Sequence, residues 1–176
     1  GDELMGFSWL RHLRAAGTPE AQASARALID DWISSHGRFD DASWAPEVLS
    51  RRIISWLSHA PMVLRDAPPD FYRRFMRSLL RQVRFLRATA HHAPEGYPRL
   101  VASIALAFAG LCLATQRRLL RTAQRQLTEE LSRQLLPDGV HVSRNPGVLV
   151  ELLLDLLPLR QAFAARGSQP SRILVS

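Results

Sequence analysis

The stretch Pro69-Asp70-Phe71-Tyr72-Arg73-Arg74-Phe75-Met76-Arg77-Ser78-Leu79-Leu80-Arg81-Gln82-Val83-Arg84-Phe85-Leu86-Arg87 carries an apolar and a basic stripe at once. Phe71, Phe75, Met76, Leu79, Leu80, Val83 and Leu86 recur at the spacing of a helix that turns one side toward a core. At about 100° per residue, Arg73, Arg74, Arg77, Arg81, Arg84 and Arg87 fall within roughly 140° of one another, an arc that holds none of these but Leu80, which lies near its edge. A strand cannot separate the two sets, because its side chains alternate with period two. This segment is therefore a helix, and the rest of the chain reads the same way.

Toward the N-terminus, a helical piece over about Leu4–Ala15 is closed by Gly17. Thr18-Pro19-Glu20 then supplies an N-cap, a proline at the first helical position and a first-turn acid. Ala25, Leu28, Ile29, Trp32 and Ile33 make the apolar face of this helix, which Gly37 ends. The next starts near Ser43–Glu47, repeats Val48, Leu49, Ile53, Trp56 and Leu57, and is expected to stop at Pro61. Toward the C-terminus, about Pro98–Ala114 is apolar nearly all round, as in a helix enclosed by neighbours. Gln116–Leu136 is amphipathic, with Leu119, Leu120, Ala123, Leu127 and Leu131 inward and Arg117, Arg121 and Arg125 outward. Asn145-Pro146 opens a last helix carrying Leu149, Leu152, Leu153, Leu156 and Leu157, which Pro158 is expected to kink or end. No stretch alternates convincingly as a strand would, so the fold class is all-α. Short connections between the helices favour antiparallel hairpins, and no internal repeat points to a coded solenoid.

The 176 residues suit one domain, and 47% hydrophobic content is enough for a sizeable core. All 23 basic residues are Arg, and the formal net charge is +7 at pH 7. Guanidinium groups suit bidentate capture of carboxylate, sulfate or phosphate, which makes an acidic polymer a plausible partner; the alternative is a composition bias that favours Arg over Lys. Cys112 is the single cysteine, which rules out an internal disulfide. The longest apolar run, Val101–Ala114, is too short for the ~20 residues of a membrane span, so no membrane partner is expected. Gly1-Asp2-Glu3-Leu4 lacks the basic end and apolar middle of a signal peptide. The adjacent His91-His92 have no Cys or His at ligand spacing nearby, so no metal is expected, and no cofactor-binding loop is present.

The most unusual segment is the connection Asp138-Gly139-Val140-His141-Val142-Ser143-Arg144-Asn145 between two apolar helices. A scaffold can hold polar residues there in fixed positions. A histidine polarises a carboxylate or moves a proton, an arginine binds an anion bidentately, and an asparagine donates an amide hydrogen bond. The alternative is a turn at Asp138-Gly139, a cap at Asn145 and a solvated His141. Trp9, Trp32, Trp44 and Trp56 either stack on sugar rings or bases, or fill the core.

These segments resemble the N-terminal helical domain of the bacterial heparinase II/III family of polysaccharide lyases. Trp44-Ala45-Pro46 followed by Arg51-Arg52-Ile53-Ile54-Ser55-Trp56-Leu57 is similar to the family's early Trp- and Arg-bearing helix. Leu135–Pro146 resembles its Asp-Gly-x-His loop, and Glu151–Leu159 its following leucine-rich helix. The resemblance implies a partial (α/α) toroid over residues 1–166, with 167–176 as a linker. It further implies β-elimination next to a uronic acid in an acidic polysaccharide, with His141 as the catalytic residue that neutralises the carboxylate. Arg144 and Asn145 are candidate substrate-binding neighbours. The family's tyrosine and second histidine belong to later positions, the latter in a C-terminal β-sandwich. By this resemblance the chain alone is inactive and that sandwich is its missing partner. The compartment would be periplasmic for an exported parent and cytoplasmic otherwise.

Two other classes fit the composition: a non-specific polyanion or nucleic-acid binder and a non-catalytic helical scaffold. Sequence-specific DNA reading is disfavoured, because the basic strip of residues 73–87 lacks the Asn or Thr side chains that read base edges.

Overall fold

A computed structural model describes residues 2–39, 42–113, 117–135 and 146–165, and every regular element among them is helical. The helices are α1 (Asp2–Met5), α2 (Leu10–Ala16), α3 (Pro19–His36), α4 (Pro46–Leu64), α5 (Pro69–Thr89), α6 (Tyr97–Cys112), α7 (Arg117–Gln134) and α8 (Pro146–Ala165). A 3₁₀ turn covers Ala90–His92. The chain forms two compact units, Gly1–Arg87 and Ala88–Ser176.

In the first unit, Gly17 closes α2 in the left-handed conformation expected of it, with φ +64°. The Thr18 hydroxyl accepts from Ala21 N at 3.1 Å and starts α3 one residue later. Ala25, Ile29 and Trp32 turn inward from α3, while Leu28, expected there, is half exposed. Leu49, Ile53 and Trp56 from α4 and Phe75, Leu79, Val83 and Leu86 from α5 complete the core. Each buried Val, Leu, Ile or Phe in this set stabilises the fold by about 1.5–3 kcal/mol through removal of its surface from water.

The first helical piece differs from expectation. It is split by a turn in which Phe7 takes a left-handed backbone, φ +59°. That conformation is costly for an aromatic residue and is held by its surroundings. The Phe7 ring is buried against Trp32 and Trp56, edge-on at 6.2 and 5.6 Å between centroids. A helix continuous from residue 4 to residue 15 would give up that insertion.

Nor does Pro61 end its helix: α4 continues to Leu64. A proline there removes one N–H bond, and α3 fastens the following carbonyls instead. Gln22 Nε2 donates to Met62 O at 2.7 Å and to Arg65 O at 3.1 Å, and Arg26 Nε donates to Val63 O at 2.8 Å.

In the second unit, α6 packs against both α7 and α8. Every residue from Leu100 to Leu111 is buried, as its all-round apolar sequence predicts. Leu119, Ala123, Leu127 and Leu131 form the buried stripe of α7. Gly110 permits the close approach: a Cβ there would lie 2.9 Å from Leu120 Cα. Gln134 ties the end of α7 back to the start of α6, its Nε2 donating to Gly96 O at 2.8 Å. Helix α8 runs through Pro158 to Ala165, and beyond the proline Leu159 and Phe163 are fully buried. Burial of that last stretch offsets the lost backbone bond. Leu157, one of the leucines this helix carries, is 49% exposed.

Candidate functional site

His141, Arg144 and Asn145, with the Asp138-Gly139 turn before them, lie outside the described residues. The helix they lead into does begin at Pro146. Among the described residues, no group of His, Cys, Asp or Glu is arranged to hold a metal ion, and no helix is long and apolar enough to cross a membrane.

The tryptophans resolve in favour of packing. Trp32, Trp44 and Trp56 are buried, and Trp9 is partly so. Trp32 meets Trp56 edge-on at 5.6 Å, and Trp56 stacks on Phe75 at 5.0 Å. Inside this cluster sits Arg52, fully buried. Its Nε donates to Gln82 Oε1 at 2.7 Å, and Nη1 donates to Ser43 O at 2.8 Å and Met5 O at 3.0 Å. Its planar head lies over the indole of Trp32, 4.1 Å from the centroid. Burial lowers its pKa to about 9, leaving it charged at neutral pH. A charge so placed is a fastening for backbone, not a contact for ligand.

The arginine strip of α5 is exposed along its whole length, as its spacing predicts. Three of its members are engaged at the unit's surface. Arg73 pairs with Asp70, Arg74 grips Asp30 with Nε at 2.9 Å and Nη2 at 2.7 Å, and Arg81 donates to Gly37 O at 2.9 Å. Arg77, Arg84 and Arg87 have no acidic partner among the described residues. They lie on one helix face and present uncompensated positive charge to solvent.

A second feature is concave. A cleft of about 360 Å³ is lined by Arg14 from α2, Gly17, Thr18, Pro19 and Gln22 at the start of α3, and Ser58, His59, Pro61, Met62 and Arg65 from α4 and its end. The His59 ring is buried, with Nδ1 2.7 Å from Ser55 O. Burial chiefly, and the charge of Arg14 in addition, lower its pKa below 6.5 despite the bond to Ser55. The Ser58 hydroxyl oxygen is buried without a hydrogen-bond partner among the described residues.

Sequence reading names Arg52 only as part of the Arg51–Leu57 resemblance, not as a buried charge, and misses this cleft. Arg52 sits one helical turn before Trp56 and next to Ile53, on the apolar face of α4, and a lone arginine on such a face was the available signal. His59 and Pro61 fall in the part of α4 where the helix was expected to stop, so no inward face was assigned to them.

No protein-family model matches the chain. It is similar to FtsZ-localized protein C of Caulobacter vibrioides (strain NA1000 / CB15N), 36% identical over 166 residues, which cover 93% of this chain and 28% of that protein. Its fold is similar to that in the crystal structure of heparinase III, with a TM-score of 0.74 and 18% identity over 96% of this chain and 27% of that one. The chain thus spans little more than a quarter of either relative's length. Heparinase III has a helical toroid, and this likeness gives the chain its fold class: antiparallel helical hairpins of a partial (α/α) toroid.

Proposed function

We propose that the chain is a heparinase-like helical domain of a protein that works with FtsZ, and that its role there is docking. The observation that carries this is the 36% identity along 93% of the chain to an FtsZ-localized protein. The 18% identity to heparinase III is a likeness of scaffold, and one scaffold hosts many activities. The docking surface in this reading is the exposed face of α5, where Arg77, Arg84 and Arg87 stand without acidic partners among the described residues. A partner bound there is held largely by charge, and added salt weakens it.

The test is binding of the purified chain to purified FtsZ at low and moderate salt, beside fluorescence localisation of the tagged chain in cells. Saturable binding that fades with salt, and a fluorescent signal that follows FtsZ, support the reading. A diffuse signal and no binding overturn it.

A second reading keeps the lyase chemistry: His141 neutralises a uronate carboxylate while Arg144 and Asn145 hold the neighbouring sugar. The resemblance of Asp138-Gly139-Val140-His141 to the heparinase II/III loop favours it. A neutral or cationic donor at the carboxylate stabilises the enolate charge that develops when the C5 proton leaves. In that case the chain binds alginate, hyaluronan or heparin oligosaccharides, and His141→Ala weakens the binding. Equal binding by the variant removes His141 from any such role.

A further inference from the structure

We propose that the cleft enclosed by α2, the first turn of α3 and the second half of α4 is a binding site for a small phosphate-bearing molecule, held by Arg14, Arg65, Ser58 and His59. The volume, about 360 Å³, lies within the ~300–1,000 Å³ range of small-molecule pockets and leaves room for a compact organic body beside a phosphate group. Its lining contains two guanidinium groups and a histidine but no carboxylate. A lining of that composition gathers positive potential in the cleft.

Three details select an oxyanion that can carry two negative charges. Arg14 and Arg65 offer planar donors of the kind that grip phosphate oxygens two at a time. The Ser58 hydroxyl is buried in the lining without a partner, and an entering oxygen gives it an acceptor. With neutral His59 donating through Nδ1 to Ser55 O, Nε2 keeps its lone pair. Protonation at Nε2 would turn the ring into a further donor. Burial and Arg14 oppose that proton, and a dianion bound beside the ring favours it. The charged groups lining the cleft around His59 are Arg14 on α2 and Arg65 after α4, while α3 contributes only the neutral Thr18, Pro19 and Gln22. Arg65 is set on a fixed base, because Gln22 and Arg26 both donate to its carbonyl oxygen.

Binding of the dianion therefore takes up a proton at His59 while pH stays above the phosphate's own second ionisation, about 6; below it the ligand brings that proton with it and affinity levels off. A monocarboxylate supplies too little charge to do the same, which separates a phosphate ester from a uronate in this cleft.

The test follows the His59 ring by NMR in the isotopically labelled 176-residue chain, at constant ionic strength, during titration with inorganic phosphate, glycerol 3-phosphate and glucuronate. The expected result is a saturable shift with both phosphates, a raised His59 titration midpoint when they are bound, and affinity at least about ten-fold weaker in Arg14→Gln and in Arg65→Gln. Both arginines are exposed, and an unchanged Tm in each variant confirms that its fold is intact. A shift that never saturates overturns the proposal. So does affinity that survives both substitutions, or glucuronate binding as tightly as glycerol 3-phosphate.

Discussion

The guanidinium carbon of Arg52 lies over the indole of Trp32, 4.1 Å from its centroid, and none of the ion pairs among the described residues includes it. Its Nε and Nη1 are met by dipoles, the Gln82 amide oxygen and the carbonyls of Ser43 and Met5, while Nη2 is buried without a hydrogen-bond partner among the described residues. Removing the side chain leaves those oxygens buried with a donor missing and opens a hole among aromatic rings. Arg52→Ala is expected to cost about 3–4 kcal/mol in urea unfolding. Arg52→Lys should recover little, because an ammonium cannot form the same planar fork or stack on Trp32. Full stability in the lysine variant would show that the charge alone matters.

His59 gives the first unit a pH dependence with a defined sign. Its folded pKa is below 6.5, so between that value and 6.5 the unfolded chain binds more protons than the folded one. The stability contributed by its neutral form is complete above pH 6.5 and is lost as pH falls through the folded value. Thermal unfolding from pH 8 to pH 5 should therefore show a gap between the wild type and His59→Gln that changes only below about 6.5. A gap constant across that range would place the ring in an environment unlike the buried one seen here.

At Gly110 the expected effect is steric. A methyl group would meet Leu120 Cα at 2.9 Å and Leu120 N at 3.0 Å, backbone atoms that cannot swing aside. Helix propensity favours alanine over glycine by about 1 kcal/mol, but overpacking a close crossing costs about 1–3 kcal/mol. Gly110→Ala should lower the denaturant midpoint modestly, and Gly110→Leu should do so severely. Equal or higher midpoints would mean that α6 and α7 can separate at little cost.

The exposed face of α5 separates stability from binding. Arg77→Gln, Arg84→Gln and Arg87→Gln together should change unfolding free energy by about 0.5 kcal/mol or less, since each is a solvated surface residue. The same triple variant should leave a heparin column at clearly lower salt and bind FtsZ less well. A large fall in stability would show that the strip holds the fold together instead.

Most of the helices were legible because their signals are local. Thr18-Pro19 and Gly17 punctuate the chain through backbone preferences, and the paired stripes of residues 69–87 follow from 3.6-residue periodicity. What was not legible depends on distant partners. Pro61 interrupts α4 in sequence, yet Gln22 and Arg26, some forty positions earlier, supply hydrogen bonds that keep the last turn in place. The left-handed turn at Phe7 exists for the sake of Trp32 and Trp56, which no local rule connects to it. The cleft is of the same kind, because Arg14, His59 and Arg65 come together only after α2, α3 and α4 have packed. Arg52 defeats the usual rule that charge stays outside, and its compensation is spread over Met5, Ser43 and Gln82.

That spread has a kinetic side. Met5 lies 47 positions before Arg52, and Gln82 lies 30 after it, so one side chain closes two long loops when the first unit folds. Until all of these segments have arrived, the guanidinium has too few acceptors to leave water. The turn around Phe7 is then bound to the same all-or-none opening as α4, and amide protons there should exchange with solvent only as rarely as those of the core.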